Sequence, residues 1–172
     1  MKIKVQISFK EYICLMYSIT YKKPVMILLI CVATVMLLWI LAFHLEFFPV
    51  PEPTRYQYFT LVLITVIQPL FIFNTLRRNY YSNNHLKETV EIEFTESEVI
   101  IAGHSFYTEL LWKKLFKIVE LKGWYLIYQN TLSAVLVPKK SLHPKQSQEI
   151  RAILRSISNV PVHLKKTEHG HA

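Results

Sequence analysis

Val25–Phe43 reads VMILLICVATVMLLWILAF and Tyr56–Phe73 reads YQYFTLVLITVIQPLFIF, and these two runs decide the architecture. Neither holds an Asp, Glu, Lys, Arg or His. At about 1.5 Å per residue a helix of either length crosses a hydrocarbon layer of roughly 30 Å. The mean hydropathy of +0.24 and the 52% hydrophobic content are high for a soluble chain, but the excess is concentrated in the two runs. What remains of the 172 residues is one small domain's worth of chain.

The flanks of the runs orient them. Lys22 and Lys23 abut the first, Arg77 and Arg78 follow the second, and the connecting segment His44–Arg55 carries only Arg55. Lys and Arg close to span ends stay on the cytoplasmic side. Both termini are therefore expected in the cytoplasm and the connection outside, in a multi-pass protein of the cytoplasmic (inner) membrane. Trp39, Tyr56 and Tyr58 fall where aromatic rings anchor at the interface, and Lys22, Lys23, Arg77 and Arg78 where cations do. Phe47, Phe48, Pro49, Pro51 and Pro53 make the connection short and stiff. The first run is too long for a secretory signal, starts after residue 24 and lacks Ala-x-Ala-like cleavage chemistry.

Gln68-Pro69 interrupts the second run. It reads as a kink or a polar contact along a path, or as helix–helix glue within the hairpin or a homodimer. The second is preferred, since transport paths usually hold ionisable groups and neither run has one. A GxxxG contact is excluded, because neither run contains Gly.

Outside the runs, Met1–Ile7 alternates, with Ile3, Val5 and Ile7 against Lys2, Lys4 and Gln6, a half-buried strand. Ser8-Phe9-Lys10-Glu11 reads as a capping box opening a helix to about Tyr21, which Pro24 ends. That helix suits the membrane surface or the soluble domain. Arg77–Leu86 is polar and Asn-rich, a linker. Then follow strands near 90–95, 99–102, 106–112, 115–121, 124–128 and 133–137, with Lys122-Gly123 as a hairpin turn. Pro144 opens a last helix whose Ile150, Ile153, Leu154 and Ile157 form one apolar face. Residues beyond His163 read as a tail.

The net charge of +8 is spread: fourteen Lys or Arg against nine Glu after the second run, and no Asp anywhere. Such mixing fits cytoplasmic charge beside anionic headgroups better than nucleic acid, which is not an expected partner. Cys14 and Cys31 read as small buried hydrophobes, neither a disulfide nor a zinc set.

The chain offers few residues arranged for catalysis or metal binding. His163, Glu168, His169 and His171 could ligate a cation, but a polar tail offers no groups to orient them. Gly103-His104-Ser105 juxtaposes a base and a hydroxyl, with Glu109 as the available acid only if the fold brings it near. Three glycines in the whole chain exclude a Gly-rich phosphate cradle. Two basic clusters are the stronger candidates: Lys113, Lys114 and Lys117, and then Lys139, Lys140, Lys145, Arg151 and Arg155. Each basic residue near an anionic leaflet gains about 1 kcal/mol. An ordinary solvated face would show the same charges. Trp112, Trp124, Tyr125 and Tyr128 read as core and sheet-face residues.

The order Trp112-Lys113-Lys114-Leu115, Ile118-Val119-Glu120, Trp124-Tyr125-Leu126-Ile127-Tyr128, Val137-Pro138-Lys139-Lys140 and an amphipathic helix resembles the YcxB-like family of small bacterial membrane proteins. The strand and capped helix before two spans match as well, so the resemblance covers nearly the whole chain. It implies a C-terminal domain similar to a pleckstrin-homology (PH)-like sheet closed by one helix, and it implies no catalytic residues.

The expected fold is therefore α+β: a transmembrane two-helix hairpin plus a small antiparallel β-sheet domain closed by a C-terminal amphipathic helix. The expected divisions are a strand and juxtamembrane helix (1–23), spans (24–43 and 56–76) around an external loop (44–55), a PH-like domain (86–160) and a tail (161–172). The expected function is a non-enzymatic, cytoplasm-facing interaction module without a cofactor or metal. It would bind a protein partner or acidic lipid headgroups, with homo-oligomerisation a further option. The alternative is a bacterial immunity protein that neutralises a membrane-targeted toxin through its hairpin.

Overall fold

The computed structural model describes residues 1–158 and 160–164. The chain divides into two units: Ser8–Asn83, and Met1–Ile7 together with the chain from Asn84 onward.

The second of these is built on strands. β1 (Lys2–Val5) pairs antiparallel with β2 (Val90–Phe94), which pairs with β3 (Glu98–Ala102), which pairs with β4 (Tyr107–Leu111). The β1–β2 register shows why the alternation in Met1–Ile7 works. Ile3 lies opposite Ile92 and Val5 opposite Val90 on the buried face. Lys2 and Lys4 lie opposite Glu93 and Glu91 and bridge them at 3.2 and 3.3 Å on the other face. The first strand of this sheet thus comes from before the apolar helices and its neighbour from after them.

A second sheet has the order β7-β6-β5-β8. It contains β5 (Lys117–Glu120), β6 (Trp124–Tyr128) and β7 (Ala134–Pro138), all antiparallel. β8 (Val162–His163) joins the far edge of β5 in parallel, so the expected tail starts with a paired strand. β6 is buried at Tyr125, Leu126 and Ile127, on both faces. A single-turn 3-10 helix at Trp112–Lys114 leads into β5, and another at Lys139–Ser141 follows β7. Then comes α6 (Pro144–Ser156), with Ile150 and Leu154 fully buried as its apolar stripe requires.

In the helical unit, α1 (Phe9–Thr20) starts at the expected capping box: Ser8 Oγ accepts from the Glu11 N–H, and Glu11 accepts from the Ser8 N–H at 3.1 Å. α2 (Pro24–His44) carries Pro at its first position. α3 (Arg55–Val62) runs through a π-helical turn at Leu63–Ile67 into α4 (Gln68–Ser82), one helix from Arg55 to Ser82. α2 and this helix are long and apolar enough to cross a membrane. Their apolar side chains face outward, Phe71 being 72% exposed.

The wide turn has a local cause. Pro69 lacks an N–H and its ring crowds the carbonyl four residues back. The Gln68 N–H reaches back five residues to the Leu63 carbonyl instead. Gln68 Nε2 also donates to Met26 Sδ at 2.9 Å, a contact within the hairpin. Met26 lies in the first turn of α2, so Gln68 sits at the Lys23 end of the hairpin rather than in its middle.

The expected linker at Arg77–Leu86 is helical. α4 continues to Ser82, and a short α5 (Asn84–Lys87) follows. Aromatic contacts hold α4 past its apolar run. Phe9 meets Phe73, Tyr80 and Tyr81 at ring-centroid distances of 6.1, 5.3 and 5.5 Å, and Tyr12 meets Tyr80 at 5.6 Å. Tyr17 Oη donates to the Pro69 carbonyl at 2.8 Å.

Candidate binding surfaces of the sheet unit

The strand period puts Glu120 on the same face as Ile118, and both are buried. A carboxylate there needs partners, because an unpaired buried charge is costly. Lys139 Nζ lies 2.5 Å from Glu120 Oε1, and Arg151 Nη2 and Nε lie 2.7 and 3.0 Å from the same oxygen. β5, the turn after β7 and α6 are thereby pinned together. Lys139 Nζ also stands 4.8 Å over the Tyr125 ring, whose hydroxyl meets Ser147 Oγ at 3.2 Å. Burial pushes the Glu120 carboxyl up, but hydrogen bonds and charge from Lys139 and Arg151 outweigh it and hold it below its ordinary value. The Glu120 contact in turn raises the Arg151 guanidinium.

Two of the five later basic residues, Lys139 and Arg151, are thus engaged with an internal carboxylate. Lys140, Lys145 and Arg155 are exposed. The earlier cluster has Lys113 and Lys114 exposed on the 3-10 turn. Lys117 is half-buried, its Nζ 5.6 Å from the Phe116 ring and 4.9 Å from the Tyr128 ring. The fold does not merge the two clusters. Lys117 pairs with Tyr128 at one end of β6, while the Lys139 N–H bonds the Gly123 carbonyl at the other. At about 3.3 Å per residue those ends are roughly 13 Å apart.

Ser105 is tied to Glu88 rather than Glu109. Its hydroxyl and N–H both donate to the Glu88 carboxylate, at 2.6 and 3.0 Å. These bonds, the hydroxyl's first, hold the Glu88 carboxyl below its ordinary range. Glu109 accepts from the Tyr107 hydroxyl at 2.9 Å. His163 lies in β8, whereas Glu168, His169 and His171 fall outside the described residues. Among the described residues no group of His, Cys, Asp and Glu gathers for a metal. Cys14 and Cys31 are both free and exposed, not buried as expected.

Of the expected interface anchors, Trp39 Nε1 donates to the Pro51 carbonyl at 3.3 Å, and the Tyr58 hydroxyl meets His44 Nε2 at 2.9 Å. Lys22, Lys23, Tyr56, Arg77 and Arg78 are exposed.

Two features escaped sequence reading. Glu120 could have been found from its inward strand position two residues after Ile118. Leu132, a lone apolar residue in the Asn130–Ser133 turn, is 96% exposed.

No curated protein and no solved structure matches the chain. The segment from Phe94 in β2 to Leu154 in α6, which holds Glu120 and every residue of the two basic clusters except Arg155, matches the family model described as YcxB-like protein.

Proposed function

We propose that the protein is a membrane-anchored, non-enzymatic binding module of the inner membrane, facing the cytoplasm. Its two apolar helices tether a PH-like domain, closed by α6, that docks acidic lipid headgroups or an acidic protein partner. The observation that carries this reading is the division of labour among the cations. Lys139 and Arg151 neutralise Glu120, while Lys113, Lys114, Lys145 and Arg155 face solvent. Tethering raises the local concentration of such a surface at the leaflet, so weak single contacts suffice.

The pairing of β1 with β2 supports the orientation. One sheet receives the chain before the first apolar helix and after the second, so two spans that leave and return to one side fit it. The charge bias of the flanks makes that side the cytoplasm.

The test uses the full chain, because removing residues 86–172 would leave β1 without β2. The protein, purified in mild detergent, is offered equal phosphatidylglycerol and phosphatidylcholine, and retained lipid and protein are identified by mass spectrometry. A variant with Gln at Lys113, Lys114, Lys145 and Arg155 is run beside it. Selective retention of acidic lipid, or of one protein, that is lost in the variant supports the module. Equal retention by both, or none by either, overturns it.

A further inference from the structure

The β6–β7 turn is built to hold an apolar side chain out in water. Asn130 Oδ1 accepts from the N–H groups of Leu132 and Ser133 at 2.8 and 2.7 Å, and the Gln129 N–H bonds the Ser133 carbonyl at 3.0 Å. The N–H groups of Gln129, Asn130, Leu132 and Ser133 are thus bonded within the turn, which lowers the cost of moving this backbone out of water. Leu132 nevertheless touches almost nothing, at 96% exposure.

The surroundings at this end of the sheet are of one kind. The Phe116 N–H bonds the Tyr128 carbonyl, where the β6–β7 turn begins, and Phe116 is 47% exposed. Lys117 holds its ammonium against the Phe116 and Tyr128 rings. An exposed leucine, an exposed aromatic and a ring-flanked cation are the mixture that seats at a lipid headgroup–acyl boundary. Lys113 and Lys114 precede this patch. Lys117, held against both rings, is the cation in contact with the patch.

We propose that the Asn130–Ser133 turn is a membrane-inserting tip: Leu132 and Phe116 enter the interface of an anionic bilayer while Lys117 holds a headgroup phosphate. The inference rests on the membrane-anchored reading and names the part of the domain that touches lipid.

The test is a depth measurement on the full chain in nanodiscs. Cys14→Ser and Cys31→Ala remove the native thiols. A Leu132→Cys or, at the opposite end of β6, a Lys122→Cys site then carries the environment-sensitive fluorophore NBD. In discs with 30% phosphatidylglycerol, the label at 132 shifts its emission to the blue and is quenched at least twofold by spin-labelled lipid. The label at 122 does neither. Lys117→Glu removes most of the quenching at 132, and Lys113→Glu removes less. An unquenched label at 132, equal quenching at 132 and 122, or quenching unchanged by Lys117→Glu overturns the proposal. A wet tip beside intact acidic-lipid retention in detergent rejects the tip and keeps the module. Loss of both rejects the two together.

Discussion

Replacing Glu120 with Ala leaves Lys139 and Arg151 facing a site built for a carboxylate. Breaking a buried ion pair from one side costs about 3–5 kcal/mol. Here the lower end applies, since Lys139 and Arg151 keep 21% and 22% of their side chains exposed and rehydrate in part. The expected loss is about 3 kcal/mol, read by chemical denaturation of the full chain in detergent. The pH dependence has a fixed sign. The folded carboxyl sits below its ordinary 4.5, so its contribution is complete above that pH and disappears as pH falls through the lower folded value. The stability gap between wild type and Glu120→Gln should therefore be widest at neutral pH and close below pH 4.5. A gap independent of pH would show that the carboxylate charge is not what matters. At this scale sequence reading found the cations but not their commitments. Lys139 and Arg151 look like their exposed neighbours until a distant strand supplies the carboxylate.

Among the elements, those with local signals were legible and those held by distant contacts were not. The capping box at Ser8, the strand alternation before it and Ile150 and Leu154 of the α6 stripe lie at the expected places, because each is set by residues within a few positions. Ile153, by contrast, is half-buried, and Ile157 lies past the last helical residue, Ser156. Ser8→Ala should cost about 1 kcal/mol of helix stability, seen as faster amide exchange over the first turn of α1. The helical run through Arg77–Ser82 has the polar composition of a linker, and its support comes from Phe9 and Tyr12, far back in the chain. β8 was hidden for the same reason: two residues pair only because the edge of β5 is open to them. Removing residues 1–7 takes away one of the two partners of β2 and leaves it at the edge of its sheet beside β3. Amide protection over Val90–Phe94 should fall by an order of magnitude or more, while Trp124–Tyr128, in the other sheet, keeps its own. Equal loss in both sheets would show that they unfold together.

For the whole molecule, the resemblance drawn from the order of short motifs is matched by the family model over residues 94–154. The two apolar helices were plain in composition alone. What no local pattern reveals is that one sheet unit is made from both sides of them. Reporter fusions probe this directly: a fluorescent protein attached at either end should fold and fluoresce in each case, as it does only in the cytoplasm. Fluorescence at one end alone would rule out two spans. The β1–β2 pairing also imposes an order of events during synthesis. β1 is made first and has no partner until the whole hairpin and β2 have followed it. In a chain that inserts both helices, the two strands meet and the sheet completes. In a chain that leaves one helix uninserted, they lie on opposite faces of the membrane, and Ile3, Val5, Val90 and Ile92 stay uncovered. Pairing of β1 with β2 therefore requires that the two strands lie on one side of any membrane the helices cross, so loss of protease resistance at Ile3, Val5, Val90 and Ile92 would report failed insertion of a single helix.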